Sequence, residues 1–309
     1  MATNTPPHDS TLDTILARLD GIDARLVRIE EAVGRRGALT HFYHLHLAVQ
    51  SLVRGLFLDA SKLAFPDRLL ARRFRLRSQN YEDGITQAIL ELGAEKTRTA
   101  VEIGCGVNGG NTGFLVAECG WRGLFLDASA SKIEVLRGGL SRKRATVAQA
   151  MVTAENVNDL LRSHGFDGEV DVLSLDIDGV DYWVWRALTA VSPRLVIVEY
   201  NSAFGADRAV SVPYDPAFSR ASHKLYFGAS LPAFVRLAAS KNYRLVAAEP
   251  RGVNAFFVRH DVATEIPACE VGEAYRLLDK SMLKLGSRSV ESFLASLDAQ
   301  GLPLVECSD

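Results

Sequence analysis

The chain has 309 residues, 48% hydrophobic and 23% charged, with a formal net charge of -2, enough for one large α/β domain with extensions and too evenly balanced in charge to favour nucleic acid. Its four cysteines, at positions 105, 119, 269 and 307, have no spacing that suits zinc or a disulfide framework. The opening MATNTPPHDS has no signal-peptide pattern, and no apolar run approaches the ~18 residues of a membrane span, so a cytoplasmic protein with no membrane partner is expected.

Residues 1–10 are polar and predict disorder. In 11–35, Leu12, Ile15, Leu19, Ile22, Leu26, Ile29 and Val33 alternate at spacings of three and four, a coiled-coil seam. Leucine at a and isoleucine at d put Arg18 and Arg25 at g, opposite Asp23 and Glu30 at e. That pattern favours more than two strands, so a homo-oligomer is expected, a tetramer ahead of a dimer. The alternative is a seam folded onto its own domain.

A helical region over 36–77 follows, with a stretch from Leu39 to Leu56 that carries His41, His44 and His46. These share a helix face only at i, i+3 and lack a nearby carboxylate or cysteine, which argues against a metal site. The arginine-rich run Arg68 to Arg77 reads as a solvated helix face or subunit contact.

From Asn80 onward the pattern alternates. Helices are expected over 82–93, 111–119, 130–139, 155–164 and 229–241, and strands over 99–103, 122–127, 145–150, 171–176, 194–200, 243–249 and 254–260. Continuous apolar strands such as VDVLSL and RLVIVEY suit a parallel sheet covered on both faces. The connection EPRGVN is too short for a crossover helix and makes the last strand antiparallel. The expected fold is therefore α/β, a doubly wound seven-stranded sheet with an antiparallel last strand, preceded by a helical extension. The domain should span 78–261, with 201–228 as a lid over the site and 262–309 as a helical tail. Of Trp183 and Trp185, two apart on a helix, at least one should be core.

In VEIGCGVNGGNT the first strand runs into Gly104, Gly106, Gly109 and Gly110, which let backbone approach a ligand at the next helix start. Glu102, two residues ahead, would repel a pyrophosphate and welcome a cationic ligand such as S-adenosylmethionine, with its ammonium and sulfonium. Asp127 ends the second strand, where a carboxylate can accept both ribose hydroxyls, and can also cap the following helix.

The segments SQNYEDG at 78–84, VEIGCGVNGGNT at 101–112, GWRGLFLDAS at 120–129 and LSLDIDGVDYWVW at 173–185 together resemble the FkbM-like methyltransferases in order and spacing. The resemblance covers about residues 78–260, and SLDIDG stands where DVEG is commoner. It implies a class I methyltransferase fold and S-adenosylmethionine as cofactor. By the same resemblance Gln79 and Asp83 sit near the cofactor's amino acid end, and Glu102, Gly104 and Gly106 line its methionine part. Asp127 takes the ribose with Ala128 beside it, and Thr153 and Ala154 open the loop that frames the adenine.

Methyl transfer needs an aligned nucleophile and a destination for its proton. Asp176 and Asp178 end the fourth strand, and Glu199 and Asn201 the fifth. Three readings stand open. Asp176, Glu199 and Asn201 hold Mg²⁺, as in metal-dependent catechol and sugar methyltransferases; Asp178 is a general base while Asp176 holds the cofactor ammonium; or the acids are structural. His223, in the lid with Tyr214, Asp215 and Tyr226, is a further proton acceptor. The expected activity is O- or N-methylation of a small polar acceptor such as a sugar or glycosylated natural product. An NAD(P)-dependent oxidoreductase and a non-catalytic assembly protein are the rivals.

Overall fold

Alternate residues of the first strand, β1 (Thr99–Ile103), point to opposite sides: Val101 and Ile103 into one apolar layer, Ala100 into another. The other strands do the same, which is why their sequences are apolar throughout. The structure, a computed structural model, describes residues 59–220, 225–277 and 289–308. The heptads of 11–35, the histidines at 41, 44 and 46, and His223 lie outside the described residues.

β2 (Arg122–Asp127), β3 (Ala145–Gln149), β4 (Gly168–Leu175), β5 (Val191–Glu199), β7 (Tyr243–Ala248) and β8 (Asn254–Arg259) complete a seven-stranded sheet of order β3-β2-β1-β4-β5-β8-β7. Pairing is parallel from β3 through β5, and β8 is antiparallel to both β5 and β7. The expected antiparallel ending is present, closed by Glu249, whose carboxylate accepts from the amides of Arg251 and Val253, both at 2.8 Å. The order reverses between β1 and β4, the place where open α/β sheets bind ligands at their carboxyl ends.

One face is covered by α1 (Glu82–Ile89), α2 (Gly113–Ala117) and α3 (Ala130–Gly139), the other by α4 (Val157–Ser163), α5 (Asp181–Ala187) and α6 (Leu231–Ser240). The expected helix 82–93 keeps α geometry only to Ile89, since Leu90–Ala94 forms a wider π turn that ends on Gly93 at φ 104°. Trp185 is buried against Phe234 and Phe257, while Trp183 is only partly buried and donates its indole N–H to the Val212 carbonyl.

The tail, expected to be helical, is mixed. After α7 (Val290–Ala299) it adds a strand, β9 (Val305–Glu306), antiparallel to β6 (Val210–Ser211) in the lid region. Ala203, Phe204, Val210, Val212, Leu225, Phe293 and Leu297 bury one another in a third apolar cluster, so lid and tail share a core. Among the described residues no helix is long and apolar enough to cross a membrane.

Candidate functional site

The loop after β1 can be built only with glycine where it passes β4. Gly104 has φ 89°, and a Cβ there would lie 1.7 Å from the carbonyl oxygen of Asp176. The loop then spends its own amides. Those of Gly104 and Cys105 donate to the Leu126 carbonyl at 2.8 and 3.1 Å, and Gly106 donates to Asp127 Oδ2 at 3.0 Å. Further on, Gly109 donates to the Cys105 carbonyl, Gly110 to Asn108 Oδ1 and Gly113 to the Gly109 carbonyl.

Glu102 sits beneath this loop, fully buried, with Oε2 accepting from the Thr112 amide at 2.8 Å. Thr112 is the residue at which α2 starts. Helix starts attract acceptor groups because their first amides lack partners, and here the chain supplies a carboxyl of its own. Burial pushes the Glu102 carboxyl up to about 8, against the opposing pull of Thr112, Ser174 and the loop amides. Expected to face the ligand, Glu102 instead props the loop from below and does not line the cavity.

That cavity, about 800 Å³, opens at the carboxyl ends of β1, β2, β4 and β5. Of the residues expected from sequence, Gln79, Gly104, Gly106, Asp127, Ala128, Asp176, Asp178 and Glu199 line it. Asp127 is positioned by the Gly106 amide on one oxygen and by the Ser129 amide, 2.8 Å away, on the other.

Besides Glu102, four expected residues stand behind the wall. Asp83 is buried and accepts from the amides of Leu76, Arg77 and Ser78 at 2.6, 2.8 and 3.1 Å. It thereby shapes the segment that carries Arg75 and Gln79 to the cavity. Thr153 donates its amide to Asn156 and Ala154 donates its amide to Tyr214; Ala150, Met151 and Val152 line the wall in their place. Asn201, expected as a metal ligand, is fully committed: its Nδ2 donates to the carbonyls of Leu225 and Phe227 at 2.7 and 2.9 Å, and its Oδ1 accepts from the Ala203 amide at 3.0 Å. His223 is outside the described residues.

Opposite the glycine loop stand Asp176, Asp178 and Glu199, with one oxygen of each within 4.8 Å of the others. The turn that presents the first two is formed by Asp181, which accepts from the amides of Ile177 and Gly179 and leaves Asp178 at φ 56°. Three carboxylates this close cannot all ionise without large repulsion. Asp178 is the exposed member, so desolvation and repulsion fall chiefly on Asp176 and Glu199. Burial first, then the neighbouring acids, push Asp176 up to about 7 and Glu199 well above the carboxylate range.

Sequence reading missed Arg220. Its guanidinium pairs with Asp178, lies 4.0 Å from Glu199 and sits 3.8 Å over the Phe227 ring. The only sequence signal was an arginine in a long irregular stretch that also holds Arg208.

No family model matches the sequence, and no curated protein matches it. Among solved structures the chain is similar to an O-methyltransferase from Bacillus cereus in complex with SAH, at 14% identity over 76% of this chain and 95% of that one, TM-score 0.38. It is also similar to the methyltransferase domain of bacterial CtHen1-C, at 16% identity over 57% of this chain and 94% of that one, TM-score 0.37. A third is the glycopeptide N-methyltransferase MtfA complexed with S-adenosyl-L-methionine, at 13% identity over 56% and 86%, TM-score 0.33.

Proposed function

We propose that the chain is an S-adenosylmethionine-dependent methyltransferase acting on a hydroxyl of a small polar acceptor such as a sugar. The observation that carries this reading is the state of the glycine loop. Dinucleotide sites hold pyrophosphate with free loop amides at a helix start. Here six loop amides are spent within the chain, and the buried Glu102 carboxyl occupies the acceptor position at the start of α2. What remains is close backbone approach without anion affinity, beside a ribose-competent Asp127 and a carboxylate-rich far wall, a set that suits a cationic nucleoside.

The bound cofactor would supply an electrophilic methyl group on a sulfonium. The residues of the chain then have two tasks. Gly104 and Gly106 let the cofactor lie against backbone while Asp127 accepts its ribose hydroxyls. Asp178, the most exposed of the three acids, takes the proton of the acceptor hydroxyl, while Asp176 and Glu199 are the acids that burial and mutual repulsion push towards the protonated form.

The test is transfer of labelled methyl from S-adenosylmethionine to a panel of glycosides and polyols, with Asp178→Asn as control. Methylated product that falls about 100-fold or more in the variant supports the reading. Equal turnover by the variant removes Asp178 as base. Absence of any cofactor binding removes the activity altogether.

A further inference from the structure

We propose that Arg220 is the resident cation of the Asp176, Asp178 and Glu199 cluster, serving in place of a divalent metal ion and setting its positive charge beside the acceptor oxygen. The inference rests on the methyl-transfer reading for its catalytic half only. Its structural half concerns the charge balance of the cluster.

Three observations converge. Arg220 Nη1 pairs with Asp178 Oδ1 and lies 4.0 Å from Glu199 Oε1, so the guanidinium stands beside two of the three acids that would ligate an ion. Its position is built in. The plane rests 3.8 Å over Phe227, a ring that is 5% exposed. Asn201 holds the Phe227 carbonyl, and Gly228 donates its amide to Gly179, next to Asp178. The platform under the arginine is therefore fastened to the ends of the same two strands that carry the acids. Finally, the amide that would help complete an oxygen shell, Asn201, serves that platform instead, and a hard ion wants about six oxygens.

Arginine suits the post because it stays charged and presents several donors in a fixed plane. Paired with Asp178, the guanidinium holds its charge at the cavity that Arg220 lines, beside the place where Asp178 would meet an acceptor oxygen. In the reaction the acceptor O–H gives its proton to the Asp178 carboxylate, and the oxygen–methyl bond forms as the sulfur–methyl bond breaks. The proton then leaves Asp178 for water. Arg220 stabilises the negative charge that builds on the oxygen, a task a metal ion performs in carboxylate-rich sites.

Manganese titration of the full chain, read by electron paramagnetic resonance and calorimetry, tests the structural half without an acceptor. Wild type should bind Mn²⁺ no tighter than about 1 mM, whereas Arg220→Met, which uncovers the acids, should bind it at least about tenfold tighter. Arg220→Lys, which keeps the charge, should bind as weakly as wild type. Micromolar Mn²⁺ binding by wild type, or no gain in Arg220→Met of unchanged melting temperature, overturns the proposal.

The catalytic half is read on any methylated acceptor. Turnover should survive chelator in wild type and fall about 100-fold in Arg220→Met, with adenosylhomocysteine affinity kept within about threefold. Turnover abolished by chelator and restored by Mg²⁺ overturns it. A wild-type chain that binds no adenosylhomocysteine instead fails the methyltransferase reading, and the manganese result still decides the role of Arg220.

Discussion

The Glu102 carboxylate and the Thr112 amide meet at 2.8 Å across the start of α2, inside a region that admits no solvent to either group. This contact places a carboxyl of the chain where a dinucleotide fold would receive phosphate, and it gives the glycine loop a fixed floor. Removing it should cost stability more than affinity. Glu102→Ala leaves the Thr112 amide buried without its acceptor and should lower unfolding free energy by about 1–3 kcal/mol. Glu102→Gln, which keeps an acceptor oxygen, should lose less. Denaturant unfolding of both variants checks the order, and equal losses would contradict it.

Asp127 differs because it lines the cavity as well as holding Gly106. Asp127→Ala should weaken adenosylhomocysteine binding about tenfold or more, roughly 1.4 kcal/mol or above. Asp127→Asn, which retains one carbonyl oxygen for the Gly106 amide, should fall between. Calorimetry of the three proteins is the measurement; unchanged affinity in Asp127→Ala would remove the ribose role.

Buried acids set the pH response. Glu102 is pushed up to about 8, and Asp176 and Glu249 to about 7, in each case first by burial. A carboxyl with a folded pKa above its unfolded value binds its proton more tightly in the native state. Its contribution is fully present below the unfolded pKa near 4.5 and is lost as pH rises through 7 and 8. The melting temperature of the ligand-free protein should therefore fall from pH 6 to pH 9. Glu249→Gln, at the β7–β8 turn and itself outside the cavity lining, should flatten that slope. A melting temperature that rises over this range would contradict the assignment.

Lid and tail should fail together. Phe293, on α7, is 1% exposed and packs 6.4 Å, ring to ring, from Phe204 in the lid region. Phe293→Ala should cost about 3 kcal/mol and impair acceptor turnover, while adenosylhomocysteine affinity stays within about twofold. Equal loss of cofactor affinity would show that the tail supports the cofactor wall as well.

Much of the fold was legible because strand periodicity and the EPRGVN turn dictate local structure directly. The apolar runs gave all seven sheet strands, and the short turn gave the antiparallel ending. The pairing of β9 with β6 was not legible, since two residues of strand carry no periodicity and the paired residues, Val210 with Glu306 and Ser211 with Val305, lie more than ninety positions apart. In the site, Gly104 and Asp127 could be read because a strand end followed by a sharp turn has few uses. Glu102 had the right position with the wrong orientation: alternation along β1 sends it to the α1 and α2 face, beneath the loop. Asn201 looked like a ligand by residue type, and only the carbonyls of Leu225 and Phe227, brought back by the lid, reveal its task. Arg220 was invisible because its meaning depends on that same return of the chain over the strand ends.

If the proposed function holds, the glycine loop takes an adenosyl amino acid and refuses a pyrophosphate. Titration calorimetry of the intact chain with adenosylhomocysteine and, separately, with NAD tests it most directly. The account predicts single-site binding of adenosylhomocysteine and no saturable heat with NAD. Saturable NAD binding without a response to adenosylhomocysteine would contradict it.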